Sequence, residues 1–238
     1  MSQKTPYDYF VLGETLFERG QREEAAKAWR AAMVGGDPDV AVNAAVNLGT
    51  ALKQTGDLDG AEEAWAIALT HRVEEASAKA GIALAELRAA RGNLPGAAEA
   101  YRAVLTLPDP PHLPQAALNL GVIAQQLGDP EEAFDSFRFA AEISDAEPTR
   151  SMAMLNLGLL VAETGHLPEA RDAFQKVVDW GDEDLAPKAK LNLGLAYLTL
   201  GDRKKARATW AELVDSGHPT AAPEARENID ILDEEEGG

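Results

Sequence analysis

Four asparagines recur at the same place in an apolar motif of this chain. The motif reads LNLG three times and VNLG once, and its amides are those of Asn47, Asn119, Asn156 and Asn192. A carboxamide offers two N–H donors and one C=O acceptor, so it can bond both the N–H and the C=O of an extended peptide. Repeated at intervals, such an amide would hold peptide main chain with little regard for side-chain sequence.

Side chains for most other chemistry are missing. The 238 residues include no cysteine, which excludes disulfides, thiol nucleophiles and cysteine-ligated metals. The four histidines occupy unrelated positions, and no HExxH, P-loop, GxGxxG or GxSxG pattern is present. The acidic loop at 179–184 lacks the spacing of a calcium loop. We therefore expect no catalytic residue, no metal site and no cofactor, and a protein that is not an enzyme.

The charge restricts the partners. With 40 acidic and 22 basic residues the formal net charge is −18, which repels phosphate backbones and anionic lipids. No apolar stretch approaches the roughly 18 residues that span a bilayer, and the opening MSQKTPYDYF lacks the pattern of a secretory signal. We expect a cytoplasmic protein with no nucleic-acid or membrane partner. The acidity suits a basic partner and a merely solvated surface equally well.

The asparagines reveal a period. Asn47 and Asn119 are 72 residues apart, which is twice 36, and the next two intervals are 37 and 36 residues. A fixed period of this length is typical of a stacked repeat array. Six copies can be aligned, and they begin near Pro6, Val42, Ala78, Pro114, Ser151 and Pro187.

Four columns carry this alignment. They are a leucine, a glycine eight residues later, an alanine five further on and an aromatic ring four beyond that. The leucines are Leu12, Leu48, Leu84, Leu120, Leu157 and Leu193, and the glycines are Gly20, Gly56, Gly92, Gly128, Gly165 and Gly201. The alanines are Ala25, Ala61, Ala97, Ala133, Ala170 and Ala206, and the rings are Trp29, Trp65, Tyr101, Phe137, Phe174 and Trp210.

Each column has a mechanical role in a helical hairpin. The glycine ends one helix in the left-handed conformation. Asp57, Asn93, Asp129 and Asp202 follow it directly and are suited to cap the next helix. The alanine and the ring lie on one face of the second helix, where the ring is expected to fill the space between neighbouring hairpins. No single hairpin can bury its apolar face, so the hairpins must stack.

The Leu–Gly pair, the turn glycine, the alanine and the ring resemble the tetratricopeptide repeat family over Pro6 to about Ala222. Ala85 replaces the glycine of the pair in repeat three, and the inter-repeat loops also resemble Sel1-like repeats. The resemblance implies an all-α, right-handed α-solenoid in a single domain over 6–222. Its repeats would be 6–41, 42–77, 78–113, 114–150, 151–186 and 187–222, and residues 223–238 would form a capping helix with a disordered acidic tail.

In this family the first helix of each hairpin lines the concave surface, so the resemblance implies an asparagine ladder that binds an extended, neutral or basic segment of another protein. Val11 and Ala83 interrupt the ladder, which makes repeats four to six the stronger part. We expect leucines before the amides to form an apolar floor. The candidate peptide-binding residues are Asn47, Asn119, Asn156, Asn192, Leu118, Leu155, Leu191, Met152, Gln115 and Lys188.

Other interpretations remain open. The amides could instead bond the neighbouring hairpin and fix the stacking angle. A carboxylate clamp is not expected, since the few lysines placed on the concave side are offset by Glu14, Glu18 and other glutamates. Tyr7, Phe10 and Phe17 fall at groove-facing positions, where they could anchor a homo-oligomer or cover the open end of the first hairpin. A self-assembling structural subunit and an acidic chaperone for a basic partner are therefore the alternative functions.

Overall fold

The computed structural model describes residues 4–34, 37–71, 73–108, 111–145 and 148–237, and within these ranges it contains thirteen helices and no strand. The first helices of the six hairpins are α1 (Pro6–Glu18), α3 (Pro38–Thr55), α5 (Glu74–Ala90), α7 (Leu113–Leu127), α9 (Thr149–Glu163) and α11 (Ala186–Thr199). The second helices are α2 (Arg22–Ala32), α4 (Leu58–Thr70), α6 (Leu94–Leu105), α8 (Pro130–Ile143), α10 (Leu167–Trp180) and α12 (Arg203–Asp215). A last helix, α13 (Ala221–Gly237), follows.

The turn inside each hairpin forms as the sequence predicts. All six turn glycines have φ between +75° and +87°, the left-handed region in which a side chain would be strained. In four of the hairpins the side chain after the glycine then caps the second helix. Asp57 accepts a hydrogen bond from the Gly60 N–H at 2.9 Å, and Asp202 accepts one from the Lys205 N–H at 3.1 Å. Asn93 and Asp129 do the same, so all four predicted caps are confirmed.

The aromatic column packs inside its own hairpin. A Cβ added to Gly49 would lie 2.4 Å from Nε1 of Trp65, and one added to Gly194 would lie 2.1 Å from Nε1 of Trp210. The glycine of the Leu–Gly pair therefore provides the space for the ring. Trp65 also donates its N–H to the Val46 carbonyl of the first helix at 3.2 Å. These rings therefore lie against the first helix of their own hairpin, where the missing Cβ leaves room. Two column members also reach the following hairpin, as the sequence predicts: Tyr101 accepts a hydrogen bond from Asn119, and Trp29 lines a cavity with Asn47.

The helices form two compact units, Met1–Leu127 and Gly128–Gly238. Within each unit, consecutive helices pack against one another, and successive first helices also touch: α1 with α3 and α3 with α5, then α9 with α11. The first helices thus line one side of each unit, which we call the first-helix face. The sequence predicts one continuous domain over 6–222, whereas the boundary between these units falls at the turn glycine within repeat four.

The C-terminal segment forms the capping helix, but the disordered tail predicted after it is wrong for residues up to Gly237. Helix α13 packs on α12 and α11 and continues through the acidic stretch. Arg203 donates to Glu235 at 2.8 Å, and both terminal nitrogens of the Arg207 guanidinium pair with Asp233. These arginines of α12 neutralise part of the acidic run. Gly238 lies outside the described residues.

Candidate functional site

The four ladder asparagines are all half-buried, but their amides have different partners. Both polar atoms of the Asn119 amide have a partner: its Nδ2 donates to the Tyr101 hydroxyl at 3.1 Å, and its Oδ1 accepts from Gln115 at 2.9 Å. Burial raises the pKa of Tyr101, and the hydrogen bond from Asn119 opposes that rise. Because Tyr101 belongs to the preceding hairpin, Asn119 ties two hairpins together, through a side chain rather than through the backbone.

Of the other three asparagine amides, one makes a hydrogen bond within the protein and two make none among the described residues. Asn192 donates to the Lys188 carbonyl of its own helix at 2.9 Å. Asn47 and Asn156 make no side-chain hydrogen bond anywhere in the described part of the chain. Their donors and acceptors are therefore available to a ligand.

Asn47 lies in an open groove on the first-helix face between α3 and α5, with a volume of about 650 Å³. The groove is lined by polar and charged side chains, among them Asp39, Asn43, Asn47, Glu75 and Lys79. Most of these have internal partners. Lys79 pairs with Glu75 at 2.6 Å, and its hydrogen bond lowers the pKa of that carboxyl. Asn43 donates to the Asp39 carbonyl at 2.8 Å. The free amide of Asn47 thus stands in a groove whose other polar groups are mostly satisfied.

The predicted apolar floor is not exposed. Leu118, Leu155 and Leu191 are only 3%, 7% and 8% exposed, since their side chains fill the interior of the hairpin stack. Leu191 also supplies the carbonyl that accepts the Trp210 N–H at 3.2 Å. The remaining candidates do reach the surface: Gln115, Met152 and Lys188 are exposed.

A second, smaller cavity of about 190 Å³ lies on the other side of Asn47, between α1 and α3. We call it the acidic pocket, and its lining residues are Glu14, Phe17, Glu18, Trp29, Asn47 and Thr50. The sequence alone predicts for the two glutamates only that they offset lysines on the concave side. The signal that could have singled them out is their spacing of one helical turn beside Phe17.

The N-terminal aromatics separate into two groups. Phe10 and Phe17 are half-buried and pack against the core of unit 1, and the Phe17 ring lies 5.5 Å from that of Trp29. Tyr7 is 62% exposed. Two of the three predicted interface anchors therefore help to cover the first hairpin, which leaves Tyr7 alone on the surface.

Two further features bear on the choice of function. In the described ranges, no three histidine, aspartate or glutamate side chains cluster closely enough to hold a metal ion. Among the helices of the described chain, none combines the length and the apolar character needed to cross a membrane.

Comparison of the sequence with family profiles identifies the class. Profiles described as tetratricopeptide repeat match residues 10–76 and 46–111, 113–179, and 188–221. The chain belongs to the tetratricopeptide repeat family, and all six hairpins lie within or overlap these matches. The family is generally non-catalytic, and its fold serves protein–protein interaction. No curated protein matches the sequence.

Solved structures with the same fold are distant in sequence. YrrB, described as a tetratricopeptide repeat protein with an unusual peptide-binding site, is 20% identical with a TM-score of 0.62, and the match covers 85% of this chain and 99% of YrrB. The C-terminal part of a repeat-containing protein from Cytophaga hutchinsonii is 17% identical with a TM-score of 0.68, over 91% and 86% of the two chains. PilF of Pseudomonas aeruginosa is 16% identical with a TM-score of 0.58, over 94% and 97%. At these identities the likeness shows the fold.

Proposed function

We propose that this tetratricopeptide repeat protein is a non-catalytic adaptor that binds an extended segment of another protein on its first-helix face. The observation that carries the proposal is the free amide of Asn47 in the open groove between α3 and α5. The free amide of Asn156 offers the same contact in the second unit.

The amide of Asn47 suits peptide main chain because it can donate to a carbonyl and accept from an N–H at once. A half-buried amide without a protein partner is already removed from part of its hydration, so a ligand that satisfies it gains two hydrogen bonds. Each such bond contributes about 0.5–1.5 kcal/mol net. Removal of the amide should therefore weaken binding by roughly tenfold.

The structure changes which asparagines should be tested. Asn119 and Asn192 are the ladder positions whose amide nitrogens already donate within the protein, so each has less of its amide available to a ligand than Asn47 has. Asn47 is the informative position, and Asn192 is its matched control because both occupy the same column of the repeat.

The test begins with a displayed library of unstructured peptides selected on the wild-type protein. Dissociation constants of the selected peptides are then measured for Asn47→Ala and Asn192→Ala, with thermal melts to verify that both variants fold. We expect roughly tenfold weaker binding for Asn47→Ala, from the loss of two hydrogen bonds, and little change for Asn192→Ala. Equal affinity of the two variants, or a failure of the library to yield any binder, would contradict the proposal.

A further inference from the structure

Another groove of unit 1 lies between the second helices α2 and α4, and we call it the second-helix groove. Its volume is about 360 Å³, which is large enough to admit protruding side chains. Leu48 and Leu52 of α3 form its buried floor, and Gly60 and Ala64 bring little side-chain bulk to its α4 wall. Because these two positions carry no large side chain, the groove stays open between two helices that both pack on α3.

Apolar side chains project at the rim of the second-helix groove. Val34, just after α2, is 79% exposed, and Ile67 of α4 is 38% exposed, although both line the groove together with Met33. A single exposed apolar residue is ordinary on a protein surface, but these residues adjoin an apolar hollow. The same surface therefore carries both a hollow and protruding side chains of the kind that fill one.

The groove also has one unpaired charge of each sign. Arg30 of α2 and Glu63 of α4 both line it, both are exposed, and neither forms an ion pair within the described residues. The neighbouring Glu62, by contrast, pairs with Arg88 at 2.8 Å and with Arg91 at 3.2 Å. A partner that satisfies both charges of the groove must bring an anion to the α2 wall and a cation to the α4 wall.

A second copy of this chain meets both requirements. In a two-fold dimer every contact occurs twice, because a contact of residue i with residue j across the interface is matched by the contact of j with i. With the two-fold axis along the groove, α2 of one copy lies over α4 of the other. Arg30 of each copy then faces Glu63 of the other, and Val34 and Ile67 of each copy lie over the other's hollow.

We infer that the protein forms a reversible homodimer in which the second-helix grooves of two copies face each other. The net charge of −18 opposes association of two copies, so the dimer forms only at high protein concentration. The second-helix groove shares no lining residue with the groove at Asn47. The dimer therefore does not depend on the proposed function, and it would present two Asn47 grooves to a partner that carries two binding segments.

The test is sedimentation equilibrium of the purified chain from about 1 μM to about 1 mM, the range of weak complexes. The variants are Arg30→Glu, Glu63→Arg and the double variant Arg30→Glu/Glu63→Arg, which keeps opposite charges in the groove and the net charge of the wild type. As matched controls, Lys27→Glu on α2 and Glu99→Arg on α6 make the same changes of charge at exposed positions outside the groove. Thermal melts establish that each variant is folded.

We expect the wild type to dimerise and each single charge reversal in the groove to weaken the dimer about tenfold, because one substitution turns both pairs across the interface from attraction to repulsion. The double variant and the two controls should dimerise within about threefold of the wild type. An equimolar mixture of Arg30→Glu and Glu63→Arg should form a heterodimer, since both pairs across that interface again join opposite charges. An effect of overall charge predicts the reverse for Glu63→Arg, whose smaller net negative charge would strengthen association.

Three results would overturn the inference. If the wild type is monomeric at every concentration, the two grooves do not associate. If a dimer forms but tolerates both single reversals, it uses another surface, such as that of the exposed Tyr7. If the single variants weaken the dimer and neither the double variant nor the mixture restores it, the loss does not come from reciprocal pairing of Arg30 with Glu63. None of these results bears on the proposed function, which is tested by Asn47→Ala.

Discussion

Replacement of Gly49 by alanine should destabilise the second hairpin, although alanine is normally the better helix former. The added Cβ would lie 2.4 Å from Nε1, 2.6 Å from Cδ1 and 2.7 Å from Cε2 of Trp65. Ordinary contacts of a Cβ begin at 3.4 Å, so the ring must retreat by about 1 Å (3.4 − 2.4). That retreat removes the Trp65 N–H from the Val46 carbonyl, which it now meets at 3.2 Å.

The magnitude follows from three effects. Overpacking of a filled core costs about 1–3 kcal/mol. A buried N–H left without its acceptor costs a further 1–3 kcal/mol or so. Against these, alanine gains about 1 kcal/mol over glycine in a helix interior. We therefore expect the free energy of unfolding to fall by roughly 3 kcal/mol, because overpacking and the lost hydrogen bond outweigh the gain in helix propensity.

The appropriate assay is amide hydrogen exchange in α3 and α4, since a repeat array need not unfold in one step. A double-mutant cycle supplies the control: Gly49→Ala/Trp65→Tyr copies the Ala85 and Tyr101 that repeat three carries in these columns. We expect the double variant to cost at least about 1 kcal/mol less than the sum of the single variants. The steric argument would be refuted if Gly49→Ala left the amide-exchange protection of α3 and α4 unchanged. It would also be refuted if the free-energy costs of Gly49→Ala and Trp65→Tyr simply added in the double variant.

Two further predictions concern the C-terminal hairpin and its cap. The pKa of Asp202 is lowered below 3.8, first by the hydrogen bond from the Lys205 backbone N–H and second by the hydrogen bond from the Lys205 side chain. The ionised cap therefore stabilises α12 above pH 3.8, and this contribution is lost as the pH falls through the lowered pKa. Thermal melts between pH 6 and pH 2 should show this acid-dependent loss of stability in the wild type. The loss should be smaller in Asp202→Asn, because the asparagine amide caps the helix without titrating. If the melting temperatures of the two proteins fall identically with pH, Asp202 is not the group responsible. Arg207→Gln should speed amide exchange in the last turns of α13, because it removes the pair with Asp233, which as an exposed pair contributes at most about 1 kcal/mol. Lys204→Gln on the same helix is the control, and equal exchange in the two variants would show that the arginine does not hold the tail.

The hairpins were predictable because the signals that define them are local. A glycine with positive φ, followed at once by a capping Asp or Asn, fixes where one helix ends and the next begins, and the structure reproduces this at Gly56–Asp57 and Gly201–Asp202. The disorder predicted for the acidic tail was wrong, because composition reports only that such a segment does not pack by itself. In the structure the segment is helical and packs on α12, whose Arg203 and Arg207 pair with Glu235 and Asp233.

The candidate site was less predictable because an identical residue in an identical column meets different neighbours. Asn119 bonds Tyr101, which lies 18 residues earlier and is the aromatic column's only member with a hydroxyl. The corresponding ring for Asn47 is Trp29, whose indole has no acceptor oxygen, so no equivalent bond forms there. The constant spacing of 18 residues between the ring and the amide makes the Tyr101–Asn119 contact predictable from the sequence. The repeat alone does not show that the amide of Asn47 has no partner.

The sequence by itself determined the family, the six hairpins and their turns, since periodic columns and capping residues act over a few positions of chain. Tertiary structure decided which side chains are available to a partner. It buried the leucines expected to form a groove floor, used two of the four amides internally, and placed Glu14 and Glu18 beside Asn47 although they lie on a different helix. Availability depends on the packing of neighbouring helices, and that packing joins residues whose separation in sequence carries no periodic signal.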